Sequence, residues 1–372
     1  MDASSEMIHA VLPAFLVVGL GVSTVTVGLI EGIAEATAAI FKIFSGTLSD
    51  RLGHRKALTI AGYGLSASTK PLFALAYGVA PVLLARFLDR VGKGIRGAPR
   101  DALIADITPT AQRGAAYGLR QALDTVGALL GPLFAIAVML ITGNDFRWVF
   151  WLAVLPAVLA VAVLAAGVRE TVTVAPRPDL PLVALGPQTW KVLGPRFGVT
   201  VALATVLTLA GFSEAFLLLR AADTGFGLTW APIVMVVMNA TYAVSAYPAG
   251  RLSDIWGRRG LLVAGALVLA AADLVIGFAD GAVGVLIGSA LWGVHAGLTK
   301  GLLSALVADA APPERRGTAF GLFNLVTGAA LLVASVLAGV LWSAFGAQAT
   351  FLAGAGFALA AALGFKVSNG TK

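Results

Sequence analysis

The chain has 372 residues, 58% hydrophobic and only 12% charged, with a mean hydropathy of +0.90. A soluble domain carries about 25% charged residues, so this composition cannot cover a globular surface, and it excludes a disordered chain equally. The net charge of +7 and pI near 9.9 do not require a nucleic acid, because Lys and Arg concentrate in loops between long apolar runs. Cysteine is absent, which removes disulfides, thiolate metal sites, Fe–S clusters and cysteine nucleophiles. His9, His54 and His295 are too dispersed in sequence to predict a soft-metal cluster. No cofactor is expected.

At about 30 residues per crossing and loop, the length holds about twelve helical crossings. The runs are long and unbroken, unlike the alternating strands of an outer-membrane barrel. The predicted spans are 7–21, 25–48, 57–78, 80–105, 114–142, 147–168, 197–221, 228–252, 261–279, 281–309, 318–343 and 348–367. Span 1 would be a helix of roughly 22 Å against a hydrocarbon core of roughly 30 Å. Its Ser5-Glu6 matches Ser213-Glu214, which lies deep in span 7. The expectation is that the first half of span 1 is missing; a short first helix is the alternative. Span 2 carries Glu31, Glu35 and Lys42 on one face, within about 40°. Span 4 carries Arg86, Asp89, Arg90, Lys93, Arg96, Arg100 and Asp101 within an arc of roughly 140°. Span 5 carries Arg120 and Asp124 at i, i+4. Residues 169–196 hold Pro176, Pro178, Pro181, Pro187 and Pro195, which oppose a regular helix. They read as a linker between six-helix halves 1–168 and 197–372. The second half has fewer polar marks: Glu214, Asn239, Asp273, His295 and Lys300.

One set of loops holds Arg51, Arg55, Lys56, Arg113, Arg169, Arg177, Lys191, Arg196, Arg258, Arg259, Arg315 and Arg316; the opposite set holds little more than Arg147 and Arg220. The positive-inside rule puts the rich side, and both termini, in the cytoplasm. The expected location is the cytoplasmic (inner) membrane. The acceptor-like Asn369-Gly370-Thr371 then falls on the cytoplasmic side and is discounted for glycosylation.

The halves repeat. Gly46-Thr47-Leu48-Ser49-Asp50-Arg51-Leu52-Gly53-His54-Arg55 returns as Gly250-Arg251-Leu252-Ser253-Asp254-Ile255-Trp256-Gly257-Arg258-Arg259. Ala105-Asp106 followed by Arg113-Gly114 returns as Ala308-Asp309 followed by Arg316-Gly317, both at an offset of about 203. A parallel repeat of six spans per half is the layout of one large transporter class. On these residues the chain resembles the major facilitator superfamily over essentially its whole length. The loop after span 2 resembles motif A, with a half-copy after span 8. Ala85-Arg86-Phe87-Leu88 resembles motif B. Gly118, Gly127, Gly131 and Pro132 resemble motif C of antiporters, with Ala135 and Ile136 where two glycines are common. The resemblance implies an all-α membrane protein, a twelve-helix assembly of two pseudo-symmetric halves around a central cavity, working as a monomer by alternating access. It implies gating by Gly46, Asp50, Arg51, Arg55, Asp106, Gly127, Gly131, Pro132, Gly250, Asp254 and Arg258. In this reading Asp50 sits at a helix N-terminus near Gly317 to Phe320, and Arg51 or Arg55 pairs with Asp106.

Charges facing lipid cost several kcal/mol, so the span 4 stripe must face protein or a water-filled cavity. Span 10, at the same offset, has Trp292, Gly293, Ala296, Thr299 and Leu303 opposite Asp89, Arg90, Lys93, Arg96 and Arg100, so the fold does not require charge there. Three readings follow: a buried ion-pair network that only holds helices together, a positive wall for an anionic or zwitterionic substrate or chelate, or an early end of span 4 that puts Arg96 to Asp101 at the cytoplasmic interface. The second reading assigns substrate contact to Arg86, Arg90, Lys93, Arg96 and Arg120. Intramembrane carboxylates mark ion pathways, so Glu31, Glu35, Asp89 and Asp124 are the proton-coupling candidates. Lys70 and Asp273 occupy equivalent places in spans 3 and 9, which by the resemblance lie outside the cavity, so packing is expected of them. The expected function is proton-coupled efflux of a small organic anion, zwitterion or chelate across a lipid bilayer. The alternatives are an uptake symporter, a metal-ion exporter using Glu31 and Glu35, and a non-transporting receptor or lipid-handling protein. No P-loop is present to drive transport with ATP, and no catalytic motif predicts an enzyme.

Overall fold

The computed structural model describes residues 1–21, 24–169, 176–177, 185–224 and 233–367, without the side chains of 13, 14, 17, 18, 24–33, 35, 36 and 222. The described residues form helices and no strand. In chain order these are α1 (Asp2–Ala14), α2 (Thr24–Leu52), α3 (Arg55–Ala74), α4 (Val79–Ile107), α5 (Arg113–Ile141), α6 (Phe146–Leu152), α7 (Val154–Gly167), α8 (Pro187–Ala210), α9 (Ala215–Asp223), α10 (Ile233–Trp256), α11 (Arg258–Gly277), α12 (Ala282–Ala310), α13 (Arg316–Phe345) and α14 (Ala347–Val367). Taking α6 with α7, and α8 with α9, gives twelve spans. Among the described residues, eight helical stretches are long and apolar enough to cross a membrane. The charge-bearing α4 is not one of them.

Several boundaries differ from the hydropathy reading. The first helix starts at Asp2 rather than at residue 7, because its polar end finds partners inside the protein. Ser4 Oγ donates to the Ala153 carbonyl at 2.6 Å, and Ser5 Oγ accepts from Lys70 at 3.1 Å. The helix continues through Phe15–Gly19 as a π turn. Span 6 is interrupted at Ala153, where Pro156 has no N–H to offer the carbonyl four residues back. The proline-rich segment is helical from Pro187, since a fixed φ suits the first helical position. Gly194 (φ 80°, ψ 170°) then breaks the helix immediately before Pro195. Span 7 breaks again between α8 and α9, at residues 211–214. The tight α2–α3 and α10–α11 turns each use a left-handed glycine, Gly53 (φ 68°) and Gly257 (φ 90°), a conformation that costs glycine little.

Two compact units emerge. The first comprises residues 1–107, 126–186 and 312–325; the second comprises 108–125, 187–311 and 326–372. Within the first, α4 packs along both α2 and α3. A separate apolar core gathers Ile8, Leu12 and Phe15 of α1 and its π turn with Phe73, Ala85 and Phe150, and the Phe15 and Phe150 rings meet edge-on at 5.2 Å. Within the second, α12 packs on α10 and α11, and α11 on α14. Phe212 joins Trp292 and Phe351 there, with ring centroids 5.7 and 5.4 Å away. The two arginines of the charge-poor loops have parallel roles. Arg147 donates to the Ala74 and Ala76 carbonyls at the end of α3. Arg220 donates to those of Ile276, Gly277 and Ala279 at the end of α11. Each supplies donors and positive charge where a helix ends in unpaired carbonyls.

Candidate functional site

Helix α4 places its charged stripe against protein: Arg86, Asp89, Arg90 and Arg96 are each at most 4% exposed. Asp89 Oδ1 accepts from Lys70 Nζ of α3 at 3.0 Å, and Lys70 also donates to Ser5. Lys70, expected to serve packing alone, therefore belongs to this charge cluster. His9 of α1 lies at its centre. Arg86 hydrogen-bonds His9 Nε2, and Arg90 reaches Nε2 at 2.7 Å. Guanidinium groups only donate, so the imidazole accepts from them through an unprotonated Nε2. Carboxylates also stand near both ring nitrogens, with Glu6 Oε1 3.5 Å from Nδ1 and Asp89 Oδ2 3.9 Å from Nε2. Lys93 and Arg90 act electrostatically on Glu6. Further along α4, Arg96 donates to Ser66 Oγ at 2.6 Å and stacks over Tyr63, while Arg100 pairs with Asp101 at 3.3 Å. Among the described residues, the cluster sets Lys70, Arg86 and Arg90 against Glu6 and Asp89, three cationic groups to two carboxylates.

His9 and Glu6 were not among the sequence candidates. The one available signal was their i, i+3 spacing, which puts them on a common helix face. The side chains of Glu31 and Glu35 lie outside the described residues. Arg120 and Asp124 pair at 3.1 Å on α5, in the part of that helix that belongs to the second unit.

The motif A residues form a quartet within the first unit. Asp50 Oδ1 accepts from Gly317 N at 3.0 Å, and Oδ2 accepts from Thr318 N at 2.6 Å and Thr318 Oγ1 at 2.7 Å. A carboxylate here satisfies orphan N–H groups and meets the positive end of the α13 dipole. Arg55 lies 3.2 Å from Asp50 and 2.7 Å from Asp106, and Arg316 reaches Asp106 at 2.5 Å. No partner of Arg51 is found among the described residues. Gly46 is needed because a Cβ would run into the Gly317 carbonyl. Burial raises the Asp50 carboxyl from 3.8 to about 6, against the lowering effect of Arg55 and of the Thr318 and Gly317 donors.

The second unit repeats this construction. Asp254 accepts from Gly114 N at 2.9 Å and Ala115 N at 2.8 Å, at the start of α5. Arg258 lies 3.7 Å from Asp254 and hydrogen-bonds Asp309, which also accepts from Arg113 at 2.8 Å. Gly250 lies against Gly114 and Gly118 without room for a Cβ. A cavity of about 690 Å³ opens beside this quartet, bordered by Thr110, Ser253, Asp254, Trp256, Arg258 and Asp309. The sequence repeat contained Arg113, Asp309 and Arg316, yet their place in the quartets required the fold. Gly127 and Gly131 lie against α1, the latter with Glu6 Cβ 2.6 Å from where its own Cβ would be; Pro132 is inside α5. Asp273, equivalent to Lys70, accepts from the indole N–H of Trp292, the equivalent of Asp89, at 2.8 Å.

A family model described as Major Facilitator Superfamily matches residues 1–240 and 201–369. An uncharacterized MFS-type transporter of Methanocaldococcus jannaschii is 30% identical over 368 residues, covering 97% of this chain and 90% of its own. The inner membrane transport protein YajR of Escherichia coli is 26% identical over 93% of this chain and 76% of its own. The crystal structure of the human organic anion transporter MFSD10 superimposes with a TM-score of 0.81 over 98% of this chain and 96% of its own, at 18% identity.

Proposed function

This chain belongs to the major facilitator superfamily and is a multi-pass membrane transporter rather than an enzyme, and from that premise we propose that it exports a small organic anion, zwitterion or chelate in exchange for protons. The observation that carries the reading is the buried α4 cluster, in which Arg86 and Arg90 share His9 while Lys70 occupies Asp89. Buried charge is costly without compensation, and the guanidinium groups of Arg86 and Arg90 are suited to pair with a substrate carboxylate or phosphate. The proton carriers in this reading are Asp89 and Asp124, with Glu31 and Glu35 of α2. Alternating access moves the halves 1–168 and 197–372, linked by 169–196, and uses the Asp50 and Asp254 quartets as contacts that break and reform. The motif C resemblance and the glycine packing of α5 on α1 support antiport. The chain acts as a monomer in the cytoplasmic membrane with both termini inside.

The test is proton flux in liposomes holding a pH dye, with a panel of anions, zwitterions, cations and metal chelates. Anions or zwitterions should trigger proton movement. Arg90→Ala and Lys93→Ala should each reduce it at least ~10-fold, a loss of about 1.4 kcal/mol or more, while eluting as monodisperse protein. A response to cations alone, or full flux in both variants, would overturn the reading.

A further inference from the structure

In the second unit, two helices and the break in span 7 bring charge to one tyrosine on a third helix. Tyr242 of α10 is 6% exposed. Lys300 Nζ of α12 stands 5.0 Å from its ring centroid. Thr125 lies near its hydroxyl, which is also in the fields of Arg120 and Asp124 of α5. Glu214, between α8 and α9, has its carboxylate 3.9 Å from Lys300. Among the described residues, two cations thus face two carboxylates, where the α4 cluster sets three cations against two.

The pair Glu214–Lys300 differs physically from the Lys70–Asp89 pair. Lys70–Asp89 is 3.0 Å long with both side chains at most 4% exposed. Glu214 and Lys300 are further apart and 43% and 50% exposed. Charged groups inside spans do not face lipid without penalty, so this exposure marks water rather than hydrocarbon. A solvated pair at that distance contributes little to stability, and ligand charges can replace it at small cost. An aromatic face that already receives the Lys300 ammonium can receive a ligand ammonium in its place.

We propose that Glu214, Tyr242 and Lys300 form a subsite for a small zwitterion such as a free α-amino acid, with Glu214 and the Tyr242 ring taking the ammonium and Lys300 the carboxylate. The inference rests on the transport reading and narrows its substrate class. A pure anion would leave Glu214 facing like charge, and a pure cation would do the same to Lys300; a molecule with both charges satisfies both sides.

The experiment uses the purified full chain with L-leucine and L-phenylalanine, each beside its amide (a cation) and its N-acetyl form (an anion). Thermal shift and liposome proton flux are read together. The free amino acids should raise the melting temperature by several degrees and move protons, and the blocked forms should do neither. Glu214→Gln and Lys300→Gln should each weaken the response at least ~10-fold, with Lys300→Arg recovering part of it. Because the pair is half exposed, the ligand-free melting temperature of these variants should stay near wild type. Equal responses to the blocked forms, full responses in both Gln variants, or no response to amino acids while simple anions drive flux would overturn the subsite and leave the transport reading standing. Absence of proton flux with every solute of the wider panel would overturn both.

Discussion

Asp50 carries no solvent exposure, yet three donors and a guanidinium converge on it. Burial outweighs them and holds its carboxyl near 6 instead of 3.8. The raised value fixes the sign of its linkage to folding. Its stabilising contribution is complete below about pH 4, falls as pH rises towards 6, and is gone above that; the shift corresponds to about 3 kcal/mol. Asp50→Asn keeps the shape and cannot ionise. The melting temperature of wild type minus that of Asp50→Asn should therefore decline between about pH 4 and 6 and level off above 7. A flat difference, or one that grows with pH, would show that ionised Asp50 is not destabilised by its surroundings.

Helix α5 illustrates how one element is set by what it touches. Gly131 meets α1 so closely that an added Cβ would sit 2.8 Å from the Ala3 carbonyl and 2.9 Å from Met7 N. Both neighbours are backbone, which cannot move aside as a flexible side chain would. Gly131→Val should lower stability by about 1–3 kcal/mol and displace α1, with His9 and Glu6, from the α4 charges. Gly167→Val, at the exposed end of α7 with nothing within 4 Å, should stay within about 0.5 kcal/mol. Thermal melts of the two variants check this. A Gly131→Val protein as stable as Gly167→Val would mean that α5 and α1 do not pack as described.

Across the whole molecule, the repeat yields two quartets of the same design at different depths. Arg55, Asp50 and Asp106 have side chains at most 3% exposed, whereas Arg258, Asp254 and Asp309 are 10%, 9% and 30% exposed. Removing one partner from a buried pair strands the other charge, at about 3–5 kcal/mol, and the cost falls as water reaches the site. Arg55→Ala should therefore destabilise the protein more than Arg258→Ala, seen as the larger drop in melting temperature. Equal or reversed drops would show that burial does not separate the quartets.

The residue order alone determined the helical membrane class, the twelve spans and the repeat at an offset of about 203, because apolar run length and loop charge are local properties that the bilayer reads directly. It also placed the α4 charges on one face, since helical period fixes angular position. Partner choice was a different matter. His9 meets Arg86 and Arg90 across 77 and 81 residues of chain, and Arg55 meets the Pro313 carbonyl across 258. Such pairings depend on the rotation and depth of each packed helix, which periodicity does not specify. The helical start of α1 at Asp2 and the helical stretch from Pro187 were likewise tertiary outcomes. Polar side chains that hydropathy reads as an end of a span found buried partners, and a proline that opposes a helix interior is suited to a helix start. Which charged pairs lie buried and which stay half exposed was decided by packing, because a lysine and a carboxylate build both the Lys70–Asp89 and the Glu214–Lys300 pairs, and distance and exposure tell them apart.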